Sequence, residues 1–94
     1  MNIRLQSDSP LPYARFVLEN YVAAFLGEGG RVKEFCSGDR AWNLEVEVFG
    51  DRSEPRLREF AAFLRRMGVP SDTVLHYVLR DGSNGTINVY ESHA

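Results

Sequence analysis

Cysteine, lysine and histidine are nearly missing from this chain. Cys36 and Lys33 stand alone, and the histidines are His76 and His93. A single thiol makes an internal disulfide impossible and fits a reducing compartment. No two of Cys36, His76 and His93 stand at metal-ligand spacing, so no metal site is expected. The P-loop, the dinucleotide fingerprint and the nucleophile elbow are also missing, which leaves no cofactor to expect. The longest apolar run, "YVAAFL" at 21–26, is far too short to span a membrane. The opening "MNIRLQSDSP" has no charged start followed by an apolar stretch, so no signal peptide is expected and the expected location is cytoplasmic. A basic excess is lacking as well. Eleven basic against thirteen acidic residues give a net charge of -2, which argues against nucleic acid as a partner. Ten of the eleven basic residues are arginine, a bias read as the base composition of a GC-rich source.

What is present is ordinary for a soluble globular protein: 44% hydrophobic and 26% charged residues in 94. That length predicts one domain over 1–94, able to bury roughly 60–65% of its unfolded surface. No linker, repeat or low-complexity stretch divides it.

"NIRLQ" at 2–6 alternates apolar and polar residues and predicts a first strand. Pro10 and Pro12 break that pattern, and a helix is expected from about Pro12 to Leu26. Its apolar stripe is expected at Tyr13, Phe16, Val17, Tyr21, Ala24 and Phe25, widened by Leu18, Val22 and Leu26. On that reading it is the most deeply buried element. "GEGG" at 27–30 stops it. "RVKEFCS" and "AWNLEVEVF" predict two strands joined by a turn over Gly38–Asp39. A second helix is expected from about Glu54 to Met67, with Ser53 as cap and Leu57, Phe60, Ala61, Leu64 and Met67 as its buried stripe. Gly68 and Pro70 end it. "TVLHYVLR" and "TINVYES" flank "DGSNG" as a hairpin.

The order strand, helix, strand, strand, helix, strand, strand predicts an α+β two-layer sandwich. Its antiparallel sheet carries two helices on one face. The first six elements match the ferredoxin-like order βαββαβ, and the last adds an edge strand. Enzymes and binding modules both use this layout, so function rests on residues. An acylphosphatase needs a glycine-rich phosphate loop after the first strand, where this chain has "SDSPLPYAR". An RNA-recognition sheet needs a basic-glycine-aromatic signature, where this chain has "EVEVFGD". Both readings fail.

A nucleophile–base pair of Cys36 and His76 is weighed against a small buried thiol and a hydrogen-bonded sheet histidine, and the second reading is preferred for each. On the second helix Arg56, Arg58, Arg65 and Arg66 alternate with acids, Glu54–Arg58 forming a helix-supporting pair, so that face is read as solvated.

The sheet face away from the helices then carries the interest. Trp42, Leu44, Val46 and Val48 point one way; Asn43, Glu45 and Glu47 point the other. Ile87 and Val89 make better core than Asn88 and Tyr90, so the latter are expected on the open side. Leu75, Tyr77 and Leu79 compete with Val74, His76 and Val78 for the core, and one set must stay partly outside. The expected partner-binding residues are Asn43, Glu45, Glu47, His76, Tyr77, Asn88 and Tyr90. The function expected is a small acidic protein-binding module without chemistry. Its partner is another protein with a basic surface, in the manner of bacterial immunity proteins that neutralise toxin nucleases. The rival expectations are a small enzyme or ligand-binding regulatory domain with a pocket near His76 and Cys36, and a homodimer pairing through the C-terminal strand.

Overall fold

The computed structural model describes residues 1–38, 41–49 and 53–90, the side chains of 53–55 excepted. The expected turn residue Asp39, the Ser53 cap, the Glu54–Arg58 pair and His93 lie outside the described residues. Among the described residues no helix is long and apolar enough to cross a membrane.

The elements follow in the order β1 (Asn2–Ser7), α1 (Arg15–Leu26), β2 (Gly30–Ser37), β3 (Trp42–Val48), α2 (Ser53–Arg66), β4 (Val74–Val78) and β5 (Asn84–Asn88), with a single 3-10 turn at Gly27–Gly29. The five strands form one sheet in the order β2-β3-β1-β4-β5. Every neighbouring pair is antiparallel. It follows that β1 and β2 run parallel with β3 between them, joined across the sheet through α1. In the same way β3 and β4 run parallel on either side of β1, joined through α2. The fold is therefore α+β, a five-stranded antiparallel sheet with two helices.

Alternation decides which way each strand faces. Ile3, Leu5 and Ser7 of β1 are buried, as are Trp42, Leu44, Val46 and Val48 of β3. All of these but Ser7 join Leu18, Val22 and Leu26 of α1, Leu57, Phe60, Ala61 and Leu64 of α2, and Leu75 and Val89 in one apolar cluster. The second helix places its stripe as its spacing predicts, with Met67 packed half-buried against the cluster just beyond its end.

The first helix departs from expectation. It begins at Arg15, because Ala14 is still extended with ψ 141°, so Tyr13 precedes it. Its buried line is Leu18, Val22 and Leu26, spaced i, i+4, i+8, while Phe16 is 62% and Tyr21 55% exposed. Ala24 is exposed too. A helix that is apolar almost all round offers several possible stripes, and the sheet took the aliphatic one. Nor is α1 the most buried element, since β1 and β3 bury every second residue along their whole length. Phe25 is the aromatic that faces inward, its ring 4.5 Å from that of Phe63 and 5.7 Å from that of Phe60.

The last hairpin turns two residues earlier than expected. β5 starts at Asn84, inside the stretch read as turn, and Gly82 takes the positive φ of 91° that the turn requires. Gly85 has a different role. It sits opposite Tyr77 in the ladder, and a Cβ there would collide with the phenol ring that lies across it.

A polar tie closes the end of the sheet where β1 runs out. The Ser7 hydroxyl donates to Asp72 Oδ1 at 2.6 Å. The Asp8 amide and the Ser9 hydroxyl donate to Oδ2 at 3.1 and 3.2 Å. Asp72 thereby pins the chain after β1 to the loop between α2 and β4. These donors favour the ionised form, so its pKa lies below the ordinary 3.8, chiefly through Ser7 and against a smaller desolvation effect.

Phe60 is 1% exposed at the centre of the helix–sheet contact. Phe60→Ala is expected to cost about 3–5 kcal/mol, a large part of the roughly 5–15 kcal/mol of a typical domain. A denaturant midpoint that hardly moves would place the core elsewhere. For Asp72 the folded pKa is lowered, so its contribution is complete above the unfolded value and vanishes as pH falls through the folded one. Acid titration of stability should therefore be steeper below 3.8 in the native chain than in Asp72→Ala. Parallel curves for the two proteins would remove Asp72 from the acid response.

Candidate functional site

The face of the sheet opposite the helices is uncovered among the described residues. Register assigns its side chains. β1 contributes Asn2, Arg4 and Gln6, opposite Glu47, Glu45 and Asn43 of β3 and Val78, His76 and Val74 of β4. β5 adds Asn84, Thr86 and Asn88. On the other side β2 adds Arg31, Glu34 and Cys36, opposite Glu47, Glu45 and Asn43.

Of the expected partner-binding residues, Asn43, Glu45, Glu47, His76 and Asn88 thus share this face. Tyr77 does not. It pairs with Ile3 and packs against the core on the helix side, because Leu75 and Tyr77 won the competition with Val74 and His76. Two consecutive strand residues cannot face the same way, so His76 and Tyr77 never belonged to one surface. Tyr90 lies past the end of β5, where its hydroxyl donates to the Val69 carbonyl and ties the chain to the loop after α2. Its amide donates to Asn88 Oδ1 at 2.9 Å.

The two glutamates of β3 do not stand bare. Glu47 meets Arg31 Nε at 2.9 Å, and Glu45 meets Arg4 at 3.3 Å. The negative field expected from Glu45 and Glu47 together is therefore largely cancelled within the chain. Both pairs are solvent-exposed, and such pairs contribute roughly 0–1 kcal/mol. The unbalanced acid is Glu34, which sequence reading missed. It lies opposite Glu45, a like-charge apposition, and forms no ion pair among the described residues. Glu34 reaches this face through a β-bulge between Val32 and Glu34, where Lys33 is the extra residue. A signal for it existed. Val32 and Phe35 both pack against the core, yet three residues apart they cannot share a face of a regular strand.

Cys36 is exposed, contrary to the expected buried thiol, because the bulge turns it outward beside Glu34. Its Sγ lies 3.3 Å from Glu34 Oε1 and donates to it. That hydrogen bond is the largest cause of a raised thiol pKa. Partial desolvation and the charges of Glu34 and Glu45 add to it, and Arg15 opposes them. Cys36 is held as a thiol, the reverse of what a nucleophile needs. His76 is half-buried, with Nδ1 3.0 Å from the Thr86 hydroxyl. It stands on β4 and Cys36 on β2, with β1 and β3 between, so three strand spacings of about 4.8 Å separate them. Strand order thus keeps the Cys36 and His76 side chains from touching, so they do not form a nucleophile–base pair by direct contact.

Two clefts among the described residues flank the β2–β3 turn. A shallow one of about 510 Å³ opens on the sheet face between Gln6, Asp8, Cys36 and Asn43. A smaller one of about 130 Å³ lies beneath Leu11, Tyr13 and Arg15 on the helix side. There the Arg15 guanidinium sits 5.8 Å from the Phe35 ring centre, and Phe35 stacks on Trp42 at 5.9 Å. Neither cleft contains a histidine. Among the described residues no three histidine, cysteine, aspartate or glutamate side chains gather to hold a metal. Comparison of the chain with protein-family models, curated proteins and solved structures finds no match.

Because Glu34 is the largest influence on the thiol, Cys36 should alkylate more slowly at neutral pH than an unperturbed cysteine. Glu34→Gln should speed the reaction. Fast alkylation in the native chain, unchanged by Glu34→Gln, would mean that the carboxylate does not hold the proton.

Proposed function

We propose that this chain is a binding module without chemistry of its own, which engages another protein through the open sheet face. The observation that carries the reading is the Glu34–Glu45 apposition on adjacent strands. Like charges directly opposite each other weaken a sheet, and Arg4 balances Glu45 alone. An arginine or lysine brought by a partner relieves that repulsion, so the same pair that costs folding favours binding. Arg4 and Arg31, already seated on Glu45 and Glu47, fix the orientation of those carboxylates. They also add positive points that a partner must match, which favours specificity over a general attraction for cations.

An inhibitor of immunity type, covering a cationic site on a toxin or nuclease, is the form of this reading that fits a small chain of net charge -2. The two interlocked crossovers, β1-α1-β2 around β3 and β3-α2-β4 around β1, support assigning the fold to the ferredoxin-like class with β5 added at the edge.

The test is a comparison of Glu34→Lys with the native chain in stability and in affinity capture from the source cell. Converting the like-charge pair to an opposite one should raise the denaturant midpoint. The same change should weaken capture of the partner at least tenfold. Rising salt should weaken native binding as the charges are screened. Glu59→Lys, on the exposed side of α2, should leave capture unchanged. Equal capture by the native chain and Glu34→Lys would show that the face meets only water.

A further inference from the structure

The two edges of the sheet are built differently. β2 carries the bulge and the charged residues Arg31, Lys33 and Glu34, devices that discourage another strand from adding. β5, "NGTIN", has no charge, no proline and no bulge in its pairing with β4. No described strand lies beyond it. We propose that this edge is a pairing surface for a second copy of the chain, the two β5 strands meeting antiparallel about a two-fold axis at Thr86.

The backbone supports that axis. The Val89 amide donates to Thr73 O, and the Leu79 amide donates to Ser83 O. Residues 73 with 89 and 79 with 83 continue the ladder register of Leu75 with Ile87. The odd-numbered residues of β5 therefore exchange their bonds with β4. By alternation the N–H and C=O groups of Asn84, Thr86 and Asn88 point away from the sheet. Centred on Thr86, antiparallel self-pairing brings Thr86 against its own copy and Asn84 against Asn88 of the other chain. All three pairs are then of the hydrogen-bonded kind.

The side chains are self-complementary as well. On the open face, threonine meets threonine and asparagine meets asparagine, so no like charges are opposed. On the helix face, Ile87 of one copy comes opposite Gly85 of the other, where the Tyr77 ring already lies over the glycine. An interface in which one patch meets itself is what a two-fold dimer requires. This assignment uses the sheet edge and does not depend on the Glu34 face.

Sedimentation velocity over a concentration series tests it. The native chain should pass from monomer to dimer as concentration rises. Thr86→Lys places two lysines face to face on the axis and should raise the dimer dissociation constant at least tenfold, with an unchanged circular-dichroism spectrum. A second variant covers the case in which lysine impairs folding. Thr86→Cys in a Cys36→Ser background puts two thiols on residues whose Cα atoms lie about 5.5 Å apart in such a pair, within disulfide range. It should oxidise to a covalent dimer faster than Glu59→Cys in the same background. A chain that stays monomeric throughout, with no faster cross-linking at Thr86, overturns the proposal. So does a dimer that Thr86→Lys leaves intact, or an edge that takes up a foreign strand and not its own copy.

Discussion

β1 is bonded along both its edges, and its register governs everything else in this molecule. Ile3 pairs with Val46 on one side and with Tyr77 on the other; Arg4 pairs with Glu45 and with His76. A slip of one residue would turn Ile3 and Leu5 to water and Arg4 and Gln6 into the core. Burial of two aliphatic side chains against both helices forbids that slip. The ion pair of Arg4 with Glu45 and the opposite facing of His76 and Tyr77 both follow from it.

The charges on the open face are arranged more than accumulated. Each of the β3 glutamates has an arginine from a different neighbouring strand, so opposite charges span the β2–β3 and β3–β1 seams. Only the Glu34–Glu45 pair breaks the pattern, and Cys36 records its field in a raised pKa. Beyond β1 the described face carries His76, Val74, Val78, Thr86 and the asparagines, with no carboxylate, arginine or lysine. The surface thus has a half rich in ion pairs beside the β2 edge and a half without them leading to β5. The two proposed contacts divide along that line.

How far this was legible in the sequence depended on contrast. The second helix keeps its charges on one side and its apolar residues on the other, and its buried residues were readable one by one. So was β3, with a strict period of two. The first helix has Arg15, Glu19 and Asn20 as its only polar members, so its stripe was read too wide, and the sheet took the Leu18, Val22 and Leu26 side of it rather than the aromatic side. β4 is apolar on both faces, which left His76 and Tyr77 undecided until pairing with β1 separated them. The site suffered most from the bulge in β2. One extra residue reversed the facing of Glu34 and Cys36, and only the odd spacing of Val32 and Phe35 betrayed it.

The central place of β1 also has a consequence in time. It is made before the other strands of this sheet, yet its partners β3 and β4 lie far along the chain, with Asn2 paired to Val78. At about 5–20 residues per second, synthesis leaves Ile3 and Leu5 without their second neighbour for several seconds. The β2–β3 hairpin, local and closed by the Gly38 amide on the Ala41 carbonyl, has its whole sequence available much earlier. β1 is thus enclosed on its second side only once β4 has been made. Loop closure around β1 has to come before the contacts that reward it, which slows folding relative to a chain built from local contacts.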